Sequence, residues 1–134
     1  MDLPKNAVVA VCDGEKLKLF RNNGEGDNLK LTALNTADLK SDNKSGGSRH
    51  QSSSANPDDA QVEEDSFAAA IAAHLIAQTG SGKIEKLVVI AAPKTLGELR
   101  KHYHKTLSAA LLNEIAKDLT GRPVGEIEKA ITAA

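Results

Sequence analysis

Residues 87–100 read Leu87-Val88-Val89-Ile90-Ala91-Ala92-Pro93-Lys94-Thr95-Leu96-Gly97-Glu98-Leu99-Arg100, and the fold turns on them. The opening apolar run shows no alternation, which is what a strand covered on both faces requires. Pro93 closes the run. Thr95-Leu96-Gly97-Glu98 then has capping-box spacing, so a short helix is expected there, with Leu96, Leu99 and Tyr103 turned inward. A two-sided strand leading straight into a helix is a unit of α/β architecture.

Upstream, Ala7 to Cys12 is a second continuous apolar run, again suited to a buried strand. Asp13-Gly14 is a hairpin signal. Glu15 to Arg21 alternates, with Leu17 and Leu19 on one face and Lys16 and Lys18 on the other. After Asn22-Asn23-Gly24-Glu25-Gly26, a third strand is expected around Leu29 and Leu31, completing an antiparallel meander. Residues 35–57 form the longest irregular stretch, centred on Lys44-Ser45-Gly46-Gly47-Ser48-Arg49-His50-Gln51, and their Gly/Ser density predicts a flexible loop. Acidic residues from Asp58 to Asp65 suit a helix start. Phe67, Ile71, Leu75 and Gln78 give that helix a face, and Gly80-Ser81-Gly82 ends it. Downstream, Leu111, Leu112, Ile115 and Leu119 follow helical spacing, and Pro123 opens a last helix through Val124, Ile127 and Ile131. These elements predict an α/β sandwich on a mixed sheet.

The chain has 134 residues and a formal net charge of −1, enough for one domain with a real core. Near-neutral charge leaves only local patches for nucleic acid. Aromatic residues make up 2%, namely Phe20, Phe67 and Tyr103, so a platform that stacks bases is disfavoured. One cysteine excludes an internal disulfide and a cysteine-rich zinc site. The apolar runs are too short for a signal core or a membrane span, so the expectation is a cytoplasmic protein without membrane contact.

Candidate chemistry is sparse. Gly80-Ser81-Gly82-Lys83 has Ala77 and Ile84 where a phosphate loop needs Gly and Ser or Thr, so it reads as a turn. His102 and His104, two apart on a helix, point to different faces and have no third ligand, so no metal is expected. Ser48 and His50 lack the orienting acid and oxyanion hole of a hydrolase triad. Cys12 reads as buried and inert, Asp13 as a turn residue and His74 as a packing or surface histidine. Lys94, Arg100, Lys101, His104 and Lys105 form a basic strip that suits a solvated face or a phosphate backbone. No cofactor is expected.

Several blocks together resemble one family. They are Val8-Val9-Ala10-Val11-Cys12-Asp13-Gly14 with Lys18-Leu19-Phe20, then Leu87 through Arg100, then Glu114-Ile115-Ala116-Lys117-Asp118-Leu119-Thr120. In order and spacing they resemble the bacterial host attachment proteins, which are similar in turn to the central domain of archaeal and eukaryotic peptide-release factors and of Pelota. The resemblance implies a single domain over 1–134, with a mixed sheet of about five strands: the meander plus two further strands, flanked by helices. It also makes Leu111 to Leu119 a strand, against its helical spacing.

In release factors the long loop carries a Gly-Gly-Gln tip that helps water attack the peptidyl-tRNA ester. Gly46-Gly47-Ser48 stands in that place here, and Gln51 is displaced by three residues. The resemblance with its glutamine replaced implies a non-enzymatic binding protein with ribosome or other RNA as partner. Its loop contacts would be Lys44, Gly46, Gly47, Ser48, Arg49, His50 and Gln51. A peptidyl-tRNA or related ester hydrolase using Gly46-Gly47 is the alternative. A structural interaction module, dimerising through a sheet edge, is a third.

Overall fold

The apolar run expected at the front of the chain becomes the middle of the sheet. The computed structural model describes residues 3–24, 28–34 and 57–134, with side chains in the first helix from residue 67 onward. In chain order the elements are β1 (Val8–Cys12), β2 (Leu17–Asn22), β3 (Leu31–Ala33), α1 (Pro57–Gly80), β4 (Leu87–Ala91), α2 (Pro93–Arg100), α3 (Lys105–Ala110), β5 (Leu111–Ala116) and α4 (Val124–Ala133). The sheet has five strands in the order β3-β2-β1-β4-β5. β1 pairs antiparallel with β2 and parallel with β4; β2–β3 is antiparallel and β4–β5 parallel. The single-domain mixed α/β sheet expected from the sequence is therefore the observed one.

Every residue of β1 and β4 is buried, because both faces are covered. On one face Val8, Ala10, Cys12, Leu87, Val89 and Ala91 pack with Phe67, Ile71 and Leu75 of α1, Leu96 and Leu99 of α2 and Leu107 of α3. On the other, Val9, Val11, Val88 and Ile90 meet Ile127 and Ile131 of α4. Period-two alternation thus serves two cores rather than a core and solvent. Truncating a side chain such as Ile71, fully buried, costs about 2–5 kcal/mol in such a setting.

Two expectations are corrected, and one ambiguity is resolved. α2 begins at Pro93 with Ala92 as N-cap and no side-chain cap, so the Thr95–Glu98 capping box does not form. Pro93 explains the shift: its missing N–H and fixed φ suit the first helical position. Tyr103 stands between α2 and α3, and not on a regular element. Leu111 to Ala116 is a strand, as the resemblance implied, and its helical spacing comes from a bulge. Leu87 pairs with Leu111 and Val88 with Asn113, which leaves Leu112 over. One extra residue turns period two into an apparent helical period.

Residues 35–56 lie outside the described residues, and with them Lys44, Gly46, Gly47, Ser48, Arg49, His50 and Gln51. Pro57 of the expected loop opens α1 instead.

Two buried polar groups organise the ends of the sheet. Asn22 is 2% exposed and uses its whole amide. Its Nδ2 donates to the Leu3 and Pro4 carbonyls at 2.8 and 3.2 Å, while Oδ1 accepts from Gly24 and Lys30 N–H at 2.9 and 3.1 Å. It ties the N-terminal segment to the β2–β3 connection. Thr120 does comparable work at the other end.

The sheet edges are also dressed. Asn23 N–H donates to Lys30 O and Leu34 N–H to Leu19 O, so Leu31 and Ala33 turn their backbone groups away from β2. The Leu31 N–H is taken by Glu128 Oε2 of α4 at 2.8 Å. On β5, Asn113 Oδ1 accepts the Glu114 N–H at 2.8 Å.

Candidate functional site

The three blocks that carry the resemblance converge at the carboxyl ends of the parallel strands β1, β4 and β5. Asp13 follows β1, the start of α2 follows β4, and Asp118 and Thr120 follow β5. Asp13 Oδ1 accepts the Glu15 and Lys16 N–H groups at 2.7 and 2.6 Å, which is the turn role expected of it. Its second oxygen does something the sequence did not announce. Thr120 Oγ1 lies 2.9 Å from Asp13 Oδ2 and 2.8 Å from Asp118 Oδ1. A hydroxyl has one proton, so buried Thr120 donates to one carboxylate at a time. Its own N–H adds a contact to Asp118 Oδ1 at 3.3 Å. The cluster pins the chain after β5 to the end of β1. Among the described residues, no group of three or more His, Cys, Asp and Glu side chains is set to hold a metal ion.

Cys12 sits beside this cluster but is sealed from it. Burial pushes its thiol pKa up to about 12, with the Asp13 charge a second cause. The thiolate is therefore not available at neutral pH.

The basic strip spans two short helices, not one. Lys94 is in the first turn of α2, Arg100 ends it, Lys101 is its C-cap, His104 is the N-cap of α3 and Lys105 its first residue. All five are exposed, but their charges are not equally available. Lys101 Nζ is 3.1 Å from Glu98 Oε1. His104 Nδ1 accepts the Thr106 N–H at 3.3 Å, a capping role the sequence did not suggest. Among the described residues Lys105 has no ion-pair partner.

Arg100 is held by β5. Its Nη2 and Nε reach Glu114 Oε1 at 2.8 and 3.1 Å, and Tyr103 OH donates to Glu114 Oε2 at 2.9 Å. Partial burial alone would raise the Glu114 pKa. The hydrogen bonds from Arg100 and Tyr103, with the Arg100 charge, outweigh it and hold the carboxyl below its ordinary value. Burial first, then the bond to Glu114, pushes the Tyr103 phenol well above the usual tyrosine range. Glu114 lies inside the third of the three blocks, yet only the fold shows that it neutralises one cation of the strip. Nothing in the sequence marks Arg100 and Glu114 as partners.

Comparison with known proteins agrees with this architecture. The family model "Bacterial archaeo-eukaryotic release factor family 12" matches residues 6–131. A protein of Rickettsia prowazekii (strain Madrid E), described only as uncharacterized, is 32% identical over 74 residues, 54% of this chain and 49% of that protein. The chain thus spans about half the length of this curated relative. Every strand of the sheet falls inside the family match, and the chain belongs to bacterial archaeo-eukaryotic release factor family 12.

Proposed function

We propose that this release-factor-family domain is a non-enzymatic, cytoplasmic binding protein for ribosomal or other RNA, engaging phosphates rather than base faces. The observation that carries the reading is the strip on α2 and α3, where Lys94, Lys101 and Lys105 stand exposed on neighbouring short helices. Lysines in this arrangement contact a phosphate backbone without reading sequence. The chain has no Trp, and two of its three Phe and Tyr residues, Phe20 and Phe67, are buried, which favours phosphate over stacking. The loop residues Lys44, Gly46, Gly47, Ser48, Arg49, His50 and Gln51 are assigned to the same contact. Any part in host attachment then follows indirectly, through RNA or the ribosome.

Co-sedimentation with purified ribosomes across a salt series tests this. Binding that falls steeply with added salt is expected, because each neutralised phosphate releases counterions. Absence of binding at low salt would overturn the reading. Release of peptide from a peptidyl-tRNA mimic above the buffer rate, lost in Gly47→Ala, would replace it with the hydrolase.

A further inference from the structure

We infer that both edges of the sheet are closed to strand addition by side-chain caps, so that a second copy or an extended peptide cannot lengthen it. Partners must then be met through side chains. An open edge offers a row of outward N–H and C=O groups that templates pairing with another strand. On β3 the ladder turns two N–H groups outward, those of Leu31 and Ala33. Glu128 Oε2, reaching across from α4, occupies the first at 2.8 Å. The pair of outward donors becomes a single one, on a strand only three residues long. An incoming strand would have to displace a charged acceptor, which forms a stronger bond than a neutral carbonyl.

The opposite edge is blunted by different means. The β5 bulge breaks the regular repeat of the ladder at Leu112, which is 37% exposed and one of two exposed large apolar residues among those described. The next N–H, that of Glu114, is taken by the side chain of its own neighbour, Asn113. Just beyond, Lys117 N–H donates to Ile115 O at 3.0 Å and turns the chain off the edge. Two unrelated devices, one long-range and one local, thus guard the two edges of the same sheet. This bears directly on dimerisation through a sheet edge, the third reading of the sequence, and is independent of RNA binding.

The test compares the full chain with Glu128→Ala and Glu128→Gln by light scattering over a concentration series, with amide hydrogen exchange at Leu31 and Ala33. Glu128→Ala should self-associate toward doubled mass, and its Leu31 amide should gain protection as it does so. Glu128→Gln retains an acceptor and should stay monomeric. A Glu128→Ala protein that remains monomeric overturns the inference, as does a wild-type dimer with both edge amides protected. Should Glu128→Ala fail to fold, Asn113→Ala tests the other edge: association supports the inference and a monomer overturns it.

Discussion

Replacing Glu114 with Ala separates the structural and functional roles of the basic strip. The carboxylate accepts from Arg100 Nε, Arg100 Nη2 and Tyr103 OH, so its loss strands all three donors. Arg100 is 57% exposed and is rescued by water, so its share of the loss is small. Tyr103 is half-buried, and leaving its hydroxyl without an acceptor costs about 1–2 kcal/mol. The expected loss, set by Tyr103, is about 1–2 kcal/mol, or about 4–7 °C in Tm for a domain of this size. Tyr103→Phe should lose about 1 kcal/mol, and the double variant less than the sum, because both remove the same bond. Binding should move the other way. Arg100 released from Glu114 adds a cation to the strip, which raises affinity for single-stranded RNA about fivefold at about 0.1 M salt and steepens the log–log salt slope by about 0.7. Thermal melts and fluorescence anisotropy with a mixed-sequence RNA oligonucleotide measure both. An unchanged Tm would refute the energetic account of the triad; a lowered Tm with unchanged slope would remove α2 from the RNA interface.

Further outcomes follow from the buried groups. Asn22→Ala should cost about 3 kcal/mol in urea melts, since four backbone partners lose their bonds to one amide. Cys12 should resist alkylation at pH 8 until the protein is unfolded, and stability should fall as pH rises from 9.0 toward about 12, because its folded pKa is raised. Glu114 works in the opposite direction. Its folded pKa is depressed, so its contribution is complete above the ordinary value of 4.5 and lost as pH falls through the folded value. Acid melts of wild type and Glu114→Gln should therefore converge below that range.

The two central strands were legible because continuous apolar runs bounded by Asp13-Gly14 and Pro93 leave few alternatives. β5 was not legible from spacing, since its bulge places Leu111 and Leu112 side by side and mimics a helix. Leu119, which completed the helical pattern, packs against the α4-side core from outside the strand. The start of α2 was misplaced because the capping box is a local signal, and Pro93 outcompetes it by presetting the first turn. At the candidate site the residue types were visible but their pairings were not. Asp13 and Thr120 are 107 positions apart, and Arg100 meets Glu114 only because the chain crosses from α2 to β5. Long-range pairings of this kind leave no periodic trace.

The parallel pairing of β1 with β4 also sets a schedule for synthesis. β1 leaves the ribosome with every side chain destined for burial, yet its parallel neighbour is complete only roughly 80 residues later. At ordinary elongation rates that is a wait of roughly 4–16 s. Until β4 is made, β2 is the available one of the two sheet neighbours of Val8–Cys12, and the face that α4 covers stays bare longest. The nascent meander is thus the stage most exposed to aggregation, and most in need of a chaperone.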